Sequence, residues 1–415
     1  MPADAISSNI LSFEDARRLV ERHASQIKPP ATESVPLLQS LGRVLAEEIR
    51  ADRDFPPFPR ATRDGYAVLA SDLKTTPASL EIIGEIKAGD AIPRVQNVRS
   101  GQAVSIMTGA PVPAGADAVV MVEFAATNGQ TVTINRSVAA RENIVAMGSE
   151  ARRGDILLFA GHRLGYAEIG AAAATGRDPV IVFRKPRIAV LATGDEIVDL
   201  HETPGYSQIR NSNSHSLAAQ IVVAGGEPVL LPIAPDEPKR LRELIVQGAT
   251  CDLLLLAGGV SMGRYDLVED ALQDLGAEFL FTGVRIQPGR PAVFGRWNAV
   301  VNSEKYFFGL PGNPVSTMVT FELFARPTIE GLAGMLPRKL IFLHARLKSP
   351  ISVKPGLKRF LPAMLSGEFE NATAELIPWQ GSGDLTAIAT ANCYIVISPQ
   401  QENIEAGEWV PLLLR

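Results

Sequence analysis

Four turns in the second half of the chain combine glycine or proline with polar residues, and each follows an apolar run of strand character. Glycine allows positive φ and close backbone approach, so successive N–H groups can converge on phosphate oxygens near a helix N-terminus. Ser261 would add a hydroxyl. A single Gly-Gly pair is more often a plain strand-to-helix turn, but four such turns together favour an anion site. The turns are Thr193-Gly194-Asp195-Glu196, Gly258-Gly259-Val260-Ser261, Pro288-Gly289-Arg290-Pro291 and Gly309-Leu310-Pro311-Gly312-Asn313-Pro314.

Carboxylates lie at or just after the ends of the same predicted strands, at Asp195, Glu196, Asp236 and Asp266. Carboxylate oxygens beside a phosphate are ligands that suit Mg²⁺, which takes one or two of them together with water and phosphate oxygens. Asp236 and Asp266 also stand where helix N-caps belong, so capping is the alternative interpretation of both.

Other reactive side chains give weaker signals. Arg290 lies between glycine and proline on a rigid turn, where a guanidinium could bind an oxyanion with two hydrogen bonds; a solvated surface arginine is the alternative. The five histidines show no metal-ligand spacing. Cys251 and Cys393 are too few for a disulfide framework, which fits a reducing cytoplasm.

Composition limits the possible functions. The chain has 415 residues, 46% of them hydrophobic, and a formal net charge of −5. This length predicts three or four domains. The negative charge argues against general attraction to nucleic acid. No stretch approaches the roughly 20 apolar residues that a membrane span requires.

The elements that would position the turns form an α/β domain over residues 186–336. Apolar strands such as "RIAVLATGDE" and "CDLLLLAGG" alternate with amphipathic helices, a pattern typical of a parallel-rich sheet covered on both faces in a three-layer α/β domain. Ligands bind at the carboxyl edge of such sheets, so we expect the four turns to meet there.

The sequence patterns in the rest of the chain predict three further domains. A mixed N-terminal domain comprises 1–53 and 142–185, with a Ser12-capped helix and a second helix over Leu41 to Ile49. Residues 54–141, inserted into it, show short β-rich runs. Residues 337–415 predict a C-terminal β-barrel-like domain. The predicted fold class is therefore multidomain α/β and β.

Six segments together resemble the molybdopterin molybdenumtransferase family, which includes bacterial molybdenum-insertion enzymes and the E domain of gephyrin. The resemblance runs in consistent order from about Ser12 to Trp409. Its segments are "RDGYAV" (63–68), "IMTGAPVPAGADAVVMVE" (106–123), "ATGDEI", "GGVSMGRYD", "PGRPAVFG" and "GLPGNPVS".

The resemblance implies a function and partners. The family inserts molybdenum from molybdate into adenylylated molybdopterin and releases AMP with a divalent cation, usually Mg²⁺, and its members form elongated homodimers of four-domain subunits. The same resemblance allows contact with other proteins of molybdenum cofactor biosynthesis, whereas the net charge and the short apolar runs predict no nucleic-acid and no membrane partner.

Residue roles follow from the matching motifs. The implied catalytic residues are Asp64, Thr108, Glu196, Asp236 and Asp266, with Glu196, Asp236 and Asp266 as metal ligands and with Asp64 and Thr108 reaching the cleft from the dimer partner's side. The implied substrate-binding residues are Glu150, Thr193, Gly194, Asn213, Gly258, Gly259, Ser261, Gly289, Arg290, Pro291, Pro311, Gly312, Asn313, Pro314, Arg359 and Ser382.

Two other functions compete with this expectation. A molybdopterin adenylyltransferase or a competence-damage protein would share the α/β domain, but such proteins lack "RDGYAV" and "IMTGAP". A non-catalytic dimeric scaffold would not require intact acidic positions and glycine turns, although the sequence is compatible with an added binding role.

Overall fold

The computed structural model describes residues 9–90, 97–259, 267–300 and 303–415. Within these ranges, no helix combines the length and the apolar character needed to cross a membrane.

The chain begins with elements that belong to two different cores. Ser12 Oγ accepts a hydrogen bond of 3.1 Å from the Asp15 N–H, which confirms the predicted N-cap of α1. One face of α1, with Phe13, Ala16 and Val20, packs in the core of the α/β domain, although sequence assigned residues 1–53 to the N-terminal domain. The elements are β1 Ile10–Leu11, α1 Phe13–Gln26, β2 Thr32–Val35, β3 Ile49–Arg50 and β4 Arg60–Ala61.

The predicted second helix from Leu41 to Ile49 is wrong. A 3₁₀ turn occupies Leu37–Ser40, and the following chain is extended. The Leu45 N–H donates to the His162 carbonyl at 2.9 Å, and β3 pairs with a later strand. Leu45 and Ile49 are four residues apart and fully buried. That spacing suggested a helix, but long-range backbone pairing buries both side chains instead.

The β-rich segment forms one six-stranded sheet in the order β8-β5-β7-β6-β10-β9. Strand β5, next to the edge strand β8, is buried on both faces: Tyr66 and Val68 enter one core and Ala67 enters another. The strands are β5 Gly65–Val68, β6 Ala78–Ile86, β7 Gln102–Ile106, β8 Ala118–Met121, β9 Ala125–Asn128 and β10 Thr131–Ile134.

The chain then returns to the N-terminal region. The next strands are antiparallel partners of β4, β3 and β2, in that order. These pairings join residues 142–185 to residues 32–61 across the inserted sheet, although the four domain boundaries stay predictions. The elements are β11 Ile144–Val145, β12 Ile156–Leu158, α2 Tyr166–Ala174 and β13 Val180–Phe183.

The α/β region first provides three strands of a central sheet and three helices. Leu253 and Leu255 enter the core on one face of β18, whereas Leu254 and Leu256 enter the core on the other face. The elements are β14 Arg187–Ala192, β15 Ile197–Val198, β16 Ile209–Arg210, α3 Ser212–Ala224, β17 Glu227–Leu230, α4 Pro238–Gly248, β18 Leu253–Ala257 and α5 Leu267–Asp274.

The rest of this region completes the sheet in the order β17-β14-β18-β23-β22-β19. The first four strands are parallel, and β22 is antiparallel to both neighbours. A core on each face confirms the three-layer, parallel-rich prediction. The elements are β19 Glu278–Phe281, β20 Gly283–Val284, β21 Ile286–Gln287, β22 Val293–Val300, β23 Ser303–Leu310, α6 Pro314–Thr320, a π-helical segment Phe321–Ala325 and α7 Arg326–Leu332.

The C-terminal region forms the expected barrel. Strands run in the order β26-β27-β24-β30-β28, and pairing of β28 with β26 closes the circle. The short strand β21 adds to β26 and joins the barrel to the α/β region. The elements are β24 Leu343–Leu347, β25 Ile351–Ser352, β26 Lys358–Ser366, β27 Thr373–Leu376, α8 Leu385–Thr390, β28 Cys393–Ile397, β29 Asn403–Ile404 and β30 Trp409–Leu414.

Candidate active site

A cavity of about 360 Å³ opens at the carboxyl edge of the parallel strands. The turns after β14, β18 and β23 meet there because these strands run side by side in the same direction. The predicted convergence of widely separated turns is therefore observed for three of the four. The cavity is lined by Ala192, Thr193, Glu196, Ile197, Ile209, Arg210, Asn211, Ser212, Asn213, Ala257, Gly258, Gly259, Pro291, Pro311, Gly312, Asn313 and Pro314.

Gly258 and Gly259 bring the backbone close to the first turn. Their φ values are +94° and +67°, a region that side chains disfavour. A Cβ at Gly259 would lie 2.6 Å from Thr193 Oγ1, and a Cβ at Gly258 would lie 3.0 Å from the Thr193 carbonyl oxygen. Glycine is thus required for backbone conformation and for the contact with Thr193.

Two polar atoms of the cavity residues have no hydrogen-bond partner in the described structure, Thr193 Oγ1 and Asn213 Oδ1. Asn213 Nδ2 is used, since it donates to the Gly312 carbonyl at 2.7 Å. Buried polar atoms without partners are rare in folded proteins. Both atoms therefore have unused hydrogen-bonding capacity among the described residues, beside the Gly258-Gly259 turn.

Hydrogen bonds with the C-terminal region fix the turn after β23, which forms one wall of the cavity. Asn313 Nδ2 donates to Ser382 Oγ at 2.9 Å, and the Val315 N–H donates to the Ser382 carbonyl at 2.9 Å. Ser382 therefore fixes the Gly312-Asn313-Pro314 turn, although it does not itself line the cavity. Pro311 and Pro314 add rigidity on each side of this turn.

The fourth turn reaches the site by a different route from the predicted one. It follows β21, which pairs with β26 of the barrel rather than with the central sheet. Pro291 lines the cavity because β22 is antiparallel, so its start lies at the carboxyl edge of its neighbours. Gly289 instead packs under α6, where a Cβ would lie 2.4 Å from Thr320 Cγ2. Arg290 is exposed and outside the lining.

The predicted acidic residues, like the residues of the fourth turn, differ in whether they line the cavity. Glu196 lines the cavity, and its carboxylate lies over Gly194, where a Cβ would come within 2.4 Å of Glu196 Oε2. Asp236 is exposed and outside the lining, and its N–H donates to Asp195 Oδ1 at 3.1 Å. Asp266 and Ser261 lie outside the described residues. Among the described residues, no group of three or more His, Cys, Asp or Glu side chains is arranged to hold a metal ion.

Asp64 and Thr108 form a unit in the β-rich sheet. Asp64 Oδ1 accepts hydrogen bonds from the Thr108 N–H at 2.6 Å and from Thr108 Oγ1 at 2.8 Å. The backbone bond and then the hydroxyl bond hold the pKa of Asp64 below its usual value of 3.8. Neither residue lines the described cavity. These hydrogen bonds join two motifs that lie 44 residues apart in the chain, a contact that the sequence analysis did not predict.

Glu150 and Arg359 also lie away from the cavity lining. Glu150 forms an exposed ion pair of 2.7 Å with Arg60, whose buried Nε has no partner among the described residues. Arg359, the second residue of β26, lies opposite Gln287 and donates from Nη2 to the Lys354 carbonyl. Burial lowers the pKa of the Arg359 guanidinium.

Sequence reasoning missed one wall of the cavity. Ile197 and Ile209 face it from the short parallel pair β15 and β16, and Asn211 caps α3 by accepting from the Ser214 N–H at 3.1 Å. The asparagine-serine run of "RNSNS" is an N-cap signal that could have identified Asn211. The two-residue strands gave no periodic pattern.

Comparison with known proteins agrees with this architecture. Family models described as "MoeA N-terminal region (domain I and II)", "Probable molybdopterin binding domain" and "MoeA C-terminal region (domain IV)" match residues 11–176, 189–331 and 344–414. A molybdopterin molybdenumtransferase of Bacillus subtilis is 33% identical, covering 93% of this chain and 90% of that protein. One of a Nostoc species is 37% identical, covering 92% and 88%.

The chain belongs to the molybdopterin molybdenumtransferase family. Solved structures of members place the same fold on the whole chain. A molybdopterin biosynthesis moeA protein of Pyrococcus horikoshii superimposes with a TM-score of 0.77 at 29% identity, covering 98% of this chain and all of that one. A second structure from that organism gives 0.70 at 32% identity, covering 98% and 99%. The family's molybdopterin-binding model spans all three turns that meet at the cavity.

Proposed function

We propose that this chain inserts molybdenum from molybdate into adenylylated molybdopterin and releases AMP. The observation that carries the proposal is the cavity where three turns meet beside Thr193 Oγ1 and Asn213 Oδ1, two buried polar atoms without partners among the described residues. Relatives that span about nine-tenths of the chain are named for this activity, which supports the same reaction here.

The phosphoanhydride would lie against the Gly258-Gly259 turn. Cleavage of such a linkage depends on neutralised oxygens and a well-placed nucleophile more than on a covalent protein group. Thr193 Oγ1 and Asn213 supply hydrogen bonds, while the Gly312 carbonyl holds the Asn213 amide in a fixed orientation. Arg359 and Ser382, on the barrel side, are the proposed contacts of molybdate.

Mg²⁺ fits this site when the substrate supplies most of the ligands. Mg²⁺ commonly binds through one or two carboxylates together with water and phosphate oxygens, so a three-residue cluster is not required. Glu196 lines the cavity and would hold the ion, and Asp266 and Asp236 are the further proposed ligands. The ion would withdraw charge from the phosphate oxygens. Binding of Mn²⁺ as a paramagnetic substitute, followed with and without AMP, tests the site independently of turnover.

We also propose a homodimer in the cytoplasm. Tyr166 of α2 is 91% exposed, Leu38 is 85% exposed and Leu41 is 65% exposed, and α2 packs against the turn that carries Leu38. An apolar face of this kind suits an interface. The Asp64–Thr108 pair does not line its own subunit's cavity, which supports a role at the partner's site. The free thiols Cys251 and Cys393 suit a reducing compartment.

AMP release from adenylylated molybdopterin, with molybdate and Mg²⁺, tests the proposed reaction. Wild type should release AMP, and Glu196→Gln should lower the rate by about 100-fold because a charged metal ligand is lost. Glu227→Gln is the matched control, since Glu227 is exposed at the opposite, amino end of the parallel strands. AMP binding by wild type without any turnover would contradict the enzyme and favour a non-catalytic scaffold.

A further inference from the structure

A second cavity, of about 520 Å³, lies between α3 and the helix that α6, the π-helical segment and α7 form together. It shares no lining residue with the candidate active site. Ala219, Gln220 and Val223 face it from one side of α3, at helical spacing. Met318, Glu322 and Arg326 face it from the opposite helix, and Tyr394 of the barrel also lines it.

The polar groups of the second cavity form a partly used network. Glu322 Oε1 accepts from Gln220 Nε2 at 2.8 Å, and Glu322 Oε2 accepts from Arg326 Nη1 at 2.6 Å. Each carboxylate oxygen can accept a second hydrogen bond. Arg326 Nε donates to Glu330 and Nη1 to Glu322, so Nη2 remains as a donor among the described residues. The unused acceptor capacity of the Glu322 carboxylate and the Nη2 donor of Arg326 therefore lie next to each other at the second cavity.

Tyr394 adds an unpartnered hydroxyl. The residue is only 1% exposed, and its hydroxyl makes no hydrogen bond in the part of the chain that the structure describes. Burial raises the pKa of Tyr394, with Arg415 opposing and Glu322 reinforcing the shift, so both charges act at this hydroxyl. A protonated phenol without a partner at a cavity can bind a ligand acceptor or donor.

The backbone that carries Glu322 is also unusual. Residues Phe321–Ala325 form a π-helical segment between α6 and α7. π-Helical turns are rare and occur frequently at functional sites. Here the segment lies in the wall of the second cavity, and Gln220 Nε2 donates to the Met318 carbonyl at 3.2 Å just before it.

We propose that the second cavity binds a planar heterocycle with a 2-amino-4-oxopyrimidine edge, the group that pterins and guanine share. The amino and ring N–H groups of this edge would donate to Glu322, and its carbonyl oxygen would accept from Arg326 or Tyr394. Small side chains at Ala219, Ala389 and Ala391 leave room for a flat ring, and Met318 provides a polarizable sulfur contact.

This proposal goes beyond the proposed catalytic function, because the ligand would bind without reaching the Gly258-Gly259 turn. Adenine has an amino group but no adjacent carbonyl and N–H donor pair, so it should not match the Glu322–Arg326 edge. Pterin and guanine offer the same edge and differ in the rest of the ring system, which the binding experiment resolves.

Fluorescence titration of 6-methylpterin with the full-length protein tests the proposal. The wild type should bind 6-methylpterin saturably. Ala219→Phe should weaken this binding at least tenfold, because the larger side chain would fill the second cavity from an exposed helix position. Val222→Phe is the matched control, since Val222 is 56% exposed on the same helix and does not line the second cavity. Tyr394→Phe should weaken binding about threefold to tenfold through loss of one hydrogen bond.

Competition separates the possible ligands and sites. Guanosine should displace 6-methylpterin, whereas adenosine and AMP should not. The relative affinities of guanosine and 6-methylpterin show whether the second cavity prefers a guanine or a pterin ring. Absence of saturable binding, equal binding by Ala219→Phe and Val222→Phe, or displacement by AMP would each overturn the second site. AMP release by Ala219→Phe should match that of wild type. A failure of the second-cavity proposal can therefore be distinguished from a failure of the proposed reaction.

Discussion

Asn313 of the α/β region and Ser382 of the barrel region are joined by a side-chain hydrogen bond of 2.9 Å. The same serine accepts the Val315 N–H through its carbonyl. A residue 69 positions away in the chain thus fixes one wall of the candidate active site.

Ser382→Ala should lower AMP release about tenfold, because loss of the hydroxyl frees the Asn313 side chain and misplaces the turn. The free energy of unfolding should fall by only about 1 kcal/mol, the usual contribution of one hydrogen bond. Ser352→Ala is the control, since Ser352 Oγ donates to Asn403 Oδ1 at 2.8 Å between β25 and β29 of the same C-terminal region. Equal turnover in both variants would remove Ser382 from the positioning of this wall.

Gly259→Ala should destabilise the protein and abolish substrate binding. The new methyl group would meet Thr193 Oγ1 and Val268 Cγ2, both at 2.6 Å, in addition to the left-handed backbone cost. Gly276→Ala measures that backbone cost alone, since φ is +76° and no atom lies within 4 Å. We expect a loss of about 1–2 kcal/mol for Gly276→Ala. Gly259→Ala should lose about 1–3 kcal/mol more through overpacking. Chemical denaturation compares the two.

Thr108→Val should raise the pKa of Asp64 toward its usual 3.8, because the hydroxyl bond is lost while the backbone bond remains. A carboxyl group whose pKa is lowered by folding stabilises the protein above its unfolded pKa, and this contribution disappears as pH falls through the folded value. The stability difference between wild type and Thr108→Val should therefore persist at pH 5–7, well above that value, and shrink below about pH 3.8. Carboxyl ¹³C NMR titration checks the pKa, and Thr108→Ser should restore it.

The sequence predicted the turns of the site because their chemistry is local. Gly258 and Gly259 follow four leucines that mark a buried parallel strand, and parallel strands deliver their turns to one edge. Asn313 and Glu196 follow from the same logic. These positions needed no knowledge of which strands are neighbours.

The parts that the sequence did not predict depend on distant pairing. The Pro288–Pro291 turn was assigned to the central sheet, but β21 finds its partner in β26, about 70 residues later. Leu45 and Ile49 have a helical spacing that backbone pairing with residues near 160 and 180 overrides. Ile209 reaches the cavity through a strand too short to carry a periodic pattern.

Thr193→Val should weaken AMP binding about tenfold without lowering stability. Valine has the shape of threonine but lacks the hydroxyl, and Thr193 Oγ1 has no partner to lose in the described structure. Removing a buried unpaired hydroxyl should leave the free energy of unfolding unchanged or raise it by about 1 kcal/mol.

Thr328→Val is a close control for this change, because Thr328 is 1% exposed and its Oγ1 also has no partner, yet it does not line the cavity. Calorimetry should show normal AMP affinity for Thr328→Val and reduced affinity for Thr193→Val. Equal affinities would mean that the Thr193 hydroxyl makes no contact with the nucleotide.

Tyr166→Asp should dissociate the proposed dimer. The substitution places a charge in the apolar face that Tyr166 forms with Leu38 and Leu41, and an unpaired charge is costly to bury in an interface. Tyr206→Asp introduces the same charge at another fully exposed tyrosine and should leave the dimer intact. Sedimentation velocity measures both. If Asp64 acts at the partner's cavity, dissociated Tyr166→Asp should also lose AMP release while it retains AMP binding, because the proposed nucleotide contacts, Thr193 and Asn213, belong to one subunit. A monomeric wild type, or a Tyr166→Asp variant that stays dimeric, would place the interface elsewhere.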